Sequence, residues 1–263
     1  MYYIVHIATS YQSFRSQAPE IQELIWTQTQ SHLRLKKPDH PILSATLDHY
    51  MTKSKEAANI TLITSALKTK MALTPEFGHV IAIARAVVLN GQRPKARVDV
   101  ADTPQDEKAL LQTFWGNLGK LIEKRGIPAF VTWNGLKFTF PFLTERSASL
   151  GVEPTCVLPR ARFQPRRHLD LLAELADYEP ARYMSLRSRL AVWGLKLNGN
   201  GGECELANPQ VLTEKWRRGN STTLKENLEL TLYAMHRIFE KASPFLFGTG
   251  HNGRSHVLET YPG

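Results

Sequence analysis

The sequence predicts an α/β fold in which a mixed sheet is covered by helices and a mainly helical insertion follows the first strand. Short β-branched runs recur near residues 2–8, 79–89, 96–100 and 129–133, while longer segments between and after them carry apolar residues at helical spacing. Three strands, a helix, a fourth strand and then helices make a layered sheet-and-helix domain. At 263 residues the chain is long enough to bury a sizeable core without disulfide or metal staples.

The first strand is read from residues 2–8 (YYIVHIA), ended by Thr9 and Ser10. Ile21, Leu24 and Ile25 then form one helical face, Pro38 and Pro41 break it, and residues 42–67 return to helical character, so 11–73 reads as an insertion. Residues 79–89 (HVIAIARAVVL) and 96–100 flank Asn90-Gly91-Gln92, a strong turn signal that predicts a hairpin. An amphipathic helix over 106–124 places Leu110, Leu111, Phe114, Leu118 and Leu121 on one stripe. Residues 129–133 read as a buried strand, and Asn134-Gly135 turns the chain into a helix that reaches about Leu150. Helices are expected at 168–177, 184–194, 208–218 and 222–241, with no structure assigned to the tail 243–263.

Composition narrows the chemistry. The 33 Lys and Arg outnumber the 24 Asp and Glu, a net charge of +9 that favours a polyanionic partner. Cys156 and Cys204 are the only cysteines and lie far apart, which predicts reduced thiols rather than a disulfide framework or a Cys-based zinc site. No apolar run approaches the about 18 residues of a membrane span, and Met1 leads into Tyr2-Tyr3-Ile4-Val5 without a basic stretch, so a cytoplasmic protein is expected. His32, His40 and His49 have no ligand spacing. The run Gly199-Asn200-Gly201-Gly202 lacks the Gly-Lys-Ser/Thr of a phosphate loop and reads as a turn, and Ser185 and Ser188 lack a His/Asp context for nucleophilic catalysis.

Three ordered stretches resemble the predicted polymerase-B-like 3′-5′ exonucleases, a branch of the DEDD superfamily. The first is Thr74-Pro75-Glu76-Phe77-Gly78-His79-Val80-Ile81-Ala82-Ile83-Ala84. The second and most specific runs from Val131-Thr132-Trp133-Asn134-Gly135-Leu136-Lys137-Phe138 to Thr139-Phe140-Pro141-Phe142-Leu143, and the third is His168-Leu169-Asp170-Leu171. Ser185-Leu186 through Gly194, and Trp216-Arg217-Arg218-Gly219 before a long helix, are similar to the family's C-terminal half. The resemblance covers residues 1–9 and about 74–241. It implies a ribonuclease-H-like domain formed by 1–10 and 74–242.

It also implies two divalent metals about 4 Å apart, held by carboxylates, one activating water and the other stabilising the leaving oxygen. The family's first motif, Asp-x-Glu on one face of the first strand, falls on His6 and Ala8, and the second motif's Asp falls on Thr139. The last, Tyr-x-x-x-Asp on the final helix, falls on Asn227 and Thr231, where a one-turn shift would bring Glu226 or Glu229 instead. With no carboxylate at the matched positions, the expectation is no catalytic residues, no metal and no cofactor. Asp170 stands as a weak candidate, read first as a helix cap.

For a partner, Arg160, Arg162, Arg166 and Arg167 share one Pro-flanked segment with Phe163, a combination suited to phosphate contacts and base stacking. Lys215, Trp216, Arg217 and Arg218 form a second cluster, and Asn134 and Lys137 lie in the most specific motif. The leading expectation is a catalytically inactive exonuclease-like subunit that binds single-stranded or end-bearing nucleic acid within a larger complex. A protein-protein scaffold using the insertion is the alternative. A metal-dependent exonuclease with relocated ligands such as Asp170, Glu145 or Glu229 is the second.

Overall fold

A computed structural model describes residues 1–34, 36–52, 58–89, 94–199 and 202–247. In chain order the elements are β1 (Tyr2–Tyr11), α1 (Pro19–Arg34), α2 (Leu47–Thr52), α3 (Ala58–Ala72), β2 (Gly78–Val88), β3 (Arg97–Val100), α4 (Glu107–Arg125) and β4 (Ala129–Thr132). They continue with α5 (Phe140–Leu150), β5 (His168–Asp170), α6 (Leu171–Glu174), α7 (Leu186–Val192), β6 (Leu197–Gly199), β7 (Gly202–Cys204), α8 (Pro209–Arg217) and α9 (Ser221–Phe247).

The main sheet has the order β3-β2-β1-β4-β5. β1, β2 and β3 pair antiparallel, whereas β4 and β5 join parallel to β1. This is the mixed, helix-flanked sheet of the ribonuclease-H-like class. Strand alternation sends Ile4 and Ala8 to the face covered by α9, where Val131, Leu169, Leu228, Leu232 and Met235 complete a core. Tyr3, Val5 and Ile7 point to the opposite face and pack with Ile83, Phe114, Phe130 and Phe140 from β2, α4, β4 and the start of α5. A third apolar cluster lies within 11–77, built from Phe14, Ile25, Trp26, Ile42, Tyr50, Ile63 and Leu67.

Several expectations need correction. Residues 168–177 are not one helix, because His168–Asp170 pairs with β4 as a parallel strand and only Leu171–Glu174 is helical. A three-residue strand buried on all sides has no alternation to display, so its identity comes from its partner. β1 runs on to Tyr11 through a register shift between Ala8 and Thr9, since Thr9, Ser10 and Tyr11 find partners in β2. The Gly199 to Gly202 stretch is flanked by a two-stranded ribbon, with Asn200 and Gly201 outside the described residues. The Asn90-Gly91-Gln92 turn also lies outside them, as does the tail beyond Phe247, the residue to which α9 extends. In α1, Leu24 is exposed while Ile25 and Trp26 are buried, so the inward stripe sits one position further along.

Candidate nucleic-acid interface and matched ligand positions

The turn after β4 is built around two backbone requirements. Asn134 adopts a left-handed conformation (φ 62°), which Asn tolerates better than most residues. At Gly135 a Cβ would come within 2.0 Å of Thr132 Oγ1, so the close passage of this turn over β4 excludes any side chain. Gly135–Thr139 forms a π-turn that delivers Thr139 to the interior before α5 begins.

Asp170 holds this turn in place. Its buried carboxylate accepts hydrogen bonds from the backbone amides of Asn134 (2.9 Å) and Leu136 (2.9 Å) and caps α6 through Leu172 N (3.2 Å). Burial raises its pKa above the ordinary carboxylate value even though the amide donors pull the other way. On the same strand, His168 pairs with Thr132 Oγ1 through Nε2 at 2.8 Å, and its ring lies 4.3 Å from that of Phe140. The family-like His-Leu-Asp-Leu segment is thus a clamp between β5, β4 and the turn.

The matched ligand positions are occupied by other chemistry. His6 shares the α9 face of β1 with Ile4 and Ala8, and its Nδ1 is sealed from solvent with no hydrogen-bond partner. Burial lowers its pKa to about 4, so the ring is neutral at physiological pH. Thr139 is fully buried with its hydroxyl unpartnered. On α9, Thr231 is buried and returns its hydroxyl to Asn227 O at 2.8 Å, which uses it up within its own helix. The family's metals demand several anionic oxygens, and a neutral imidazole, a methyl group, two hydroxyls and an amide do not fit them.

Asp170 is buried and aimed at backbone amides, while Glu145, Glu226 and Glu229 are exposed on helix surfaces. Among the described residues no group of three or more His, Cys, Asp or Glu is placed to hold a metal ion.

Sequence reasoning missed a buried ion pair between α4 and α5. Arg146 on α5 donates from Nε (2.9 Å) and Nη2 (2.7 Å) to the Glu107 carboxylate at the start of α4, which also accepts from Val80 N at 2.7 Å. Both side chains are buried, and His79 Nδ1 lies 3.3 Å from Glu107. Burial alone would raise the pKa of Glu107, yet His79, Arg146 and the Val80 amide together hold it below the ordinary range. Two single charges 39 residues apart leave no sequence signature that pairs them.

The predicted binding residues separate into two places. Arg160, Arg162, Phe163, Arg166 and Arg167 are all exposed on the turn before β5. Arg167 O accepts from Phe130 N at 2.9 Å, and Arg166 acts electrostatically on Tyr2, so this turn sits at the beginning of β1 and β4. Arg217 lies at the other end of β1, donating to Tyr11 O at 3.0 Å with its guanidinium 4.4 Å from the Tyr11 ring centroid. It lines an open cleft of about 430 Å³ together with His79, Glu107, Lys108 and Arg146. From Tyr2 to Tyr11 the strand spans roughly 30 Å, so the two basic clusters do not meet in one spot.

Trp216 is corrected outright. It is buried and donates Nε1–H to Ala101 O at 2.7 Å, which removes it from any binding surface, while Lys215 and Arg218 remain exposed. Asn134 is half-buried and its amide is engaged by Asp170, whereas Lys137 is exposed with its ammonium 4.9 Å from the Tyr183 ring centroid.

Phe163 has a partner that the sequence did not indicate. Its ring centroid lies 4.3 Å from that of Tyr178, and its amide donates to Tyr178 Oη at 3.1 Å. Phe163, Asp177 and Tyr178 all have positive φ (59°, 53° and 57°), a conformation that costs on the order of 1–3 kcal/mol for each non-glycine residue. Burial and the neighbouring Glu174 push the Tyr178 phenol up to about 12, so it stays protonated.

No curated protein matches the chain. Among solved structures it is similar to the family B DNA polymerase from the hyperthermophilic archaeon Pyrobaculum calidifontis, at 18% identity and a TM-score of 0.49. That match covers 66% of this chain and 23% of the polymerase. The model of a family described as predicted 3′-5′ exonuclease related to the exonuclease domain of PolB matches residues 72–229, the span from the end of α3 to the first third of α9. The chain belongs to this PolB-like 3′-5′ exonuclease family.

Proposed function

We propose that this protein is a non-catalytic member of its family that binds single-stranded or end-bearing nucleic acid as a subunit of a larger cytoplasmic complex. The observation that carries the reading is the selective loss at the metal centre. Every matched ligand position holds a neutral side chain, while the residues that shape the same turn, Gly135, His168 and Asp170, keep tight, hydrogen-bonded roles. Residues 1–10 and 74–242 serve as the exonuclease-like unit, with 11–73 an insertion packed around its own apolar cluster. The surplus of nine positive charges and the exposed arginines before β5 supply the attraction to phosphates.

The test is one set of samples in which labelled single- and double-stranded DNA and RNA are scored for both binding and cleavage with Mg²⁺ or Mn²⁺. Salt-sensitive binding without cleavage is expected. Cleavage that follows the purified protein through every column and is abolished by Asp170→Ala would overturn the non-catalytic half.

A second reading, a protein-protein scaffold, draws on two observations: the basic clusters lie at opposite ends of β1, and Leu24, Leu62 and Leu73 in the insertion are exposed. Absence of both binding and cleavage in the same samples would favour it.

A further inference from the structure

We infer that Phe163 and Tyr178 form a base-stacking platform, flanked in sequence by the exposed Arg160, Arg162, Arg166 and Arg167, that holds single-stranded nucleic acid at the β5 edge of the sheet. This rests on the nucleic-acid reading above and moves the contact away from the matched ligand positions.

Four features converge on the platform. Phe163 is 70% exposed, an unusual position for a large aromatic, and four arginines lie within four residues of it. Tyr178 backs one side of the ring at 4.3 Å, leaving the remainder open to solvent. The Tyr178 phenol oxygen accepts the Phe163 amide, so the presentation of the ring is fixed rather than left to a wandering loop. Positive φ at Phe163, Asp177 and Tyr178 means that both turns of the arrangement are held in a conformation that side chains disfavour.

Chemically, an open aromatic face accepts the π-face of any base, and guanidinium groups around it accept the phosphates that flank that base. A duplex keeps its bases stacked on each other and offers no free face. The ligand class is therefore single-stranded DNA or RNA with little sequence preference. The platform residues flank β5 on both sides, Phe163 before it and Tyr178 after α6.

The experiment is fluorescence anisotropy with a short oligothymidylate and an abasic strand of the same length, titrated with the full chain at low and moderate salt. The wild-type protein is expected to prefer the base-bearing strand. Phe163→Ala and Phe163→Gly should lower affinity for that strand by about 5- to 100-fold and leave the abasic strand unchanged, while Phe163→Trp restores it. Arg160→Ala and Arg162→Ala should weaken both strands alike and reduce the salt slope by about one each. Binding of both strands with equal affinity, unaffected by Phe163→Ala, overturns the platform and leaves the nucleic-acid reading standing. Failure to bind either strand overturns both.

Discussion

The turn after β4 and the turn before β5 respond to opposite demands. Around Asn134–Thr139 the turn's backbone amides and Thr139 face inward while Lys137 faces water: Asp170 takes the amides, His168 takes Thr132, and Thr139 is sealed. Around Arg160–Arg167 the charged and aromatic side chains face water. The first region retains what a metal centre needs for shape and lacks what it needs for charge, whereas the second carries charge and a strained, exposed aromatic. The contrast teaches that the hydrogen bonds shaping this turn do not depend on carboxylates at the matched ligand positions.

The strongest way to test how far the scaffold has been kept is to break its buried ion pair. Arg146→Ala leaves the Glu107 carboxylate with only Val80 N and His79 beside it, buried and short of its counter-charge. A loss of about 3–5 kcal/mol is expected in urea unfolding. Arg146→Met paired with Glu107→Gln should recover a substantial part, since the buried charge is removed from both sides. If Arg146→Ala costs below about 1 kcal/mol, the pair does not anchor α4 and α5 to β2.

Next in size is the acid response of the inward-facing region. Burial lowers the pKa of His6 and of His168 to about 4, from 6.5 in the unfolded chain. Between those values the unfolded state binds more protons, so stability is fully present above pH 6.5 and falls as pH drops toward 4. A shift of this size corresponds to about 3 kcal/mol for each group. Glu107, held below its ordinary range, adds in the same direction at lower pH. Asp170, raised by burial, acts in the opposite direction in the window above its unfolded value of 3.8. Urea unfolding at about pH 7.5 and 5 should show the loss, and His168→Gln should reduce the slope.

Much of this organisation was legible in the sequence, for reasons that also explain the gaps. β1, β2 and α4 announce themselves because a long element repeats its pattern: alternate residues of β1 face opposite cores, and Leu110, Leu111, Phe114 and Leu118 fall on one buried stripe. β5 does not, because three residues cannot repeat anything. Asn134-Gly135 carried a local conformational requirement, and the structure supplies its cause in Thr132. Trp216 misled because an aromatic amid Lys215, Arg217 and Arg218 looks like a stacking residue, whereas the amphipathic helix α8 turns it toward Ala101 and its basic neighbours outward. The Phe163–Tyr178 pair and the Glu107–Arg146 pair are contacts between distant segments, which no local pattern encodes.

Asp170→Asn sharpens the comparison at an intermediate level. The amide can accept from one of Asn134 N and Leu136 N but presents donors to the other, so about 1–3 kcal/mol of stability should be lost, with faster hydrogen exchange at both amides. Nucleic-acid affinity should not change, because the side chain is buried. An equal loss of affinity and stability would instead tie the turn to ligand binding.

The smallest expected effect is the most pointed. At φ 59°, Phe163 carries a steric cost of about 1–2 kcal/mol that glycine does not. Against this stands the extra freedom a glycine gains in the unfolded chain, about 0.5–1 kcal/mol relative to alanine. Phe163→Gly should therefore be more stable than Phe163→Ala by roughly 0.5–1 kcal/mol in matched urea melts. Most of the Phe163 ring is in water, so its removal gives up little burial that could offset that gain. A position where glycine is tolerated better than alanine, yet neither keeps the binding that phenylalanine gives, carries its aromatic for a ligand at a cost to the fold. If Phe163→Gly proves less stable than Phe163→Ala, the left-handed turn is not strained, and the contrast between an inward scaffold and an outward binding turn loses its energetic basis.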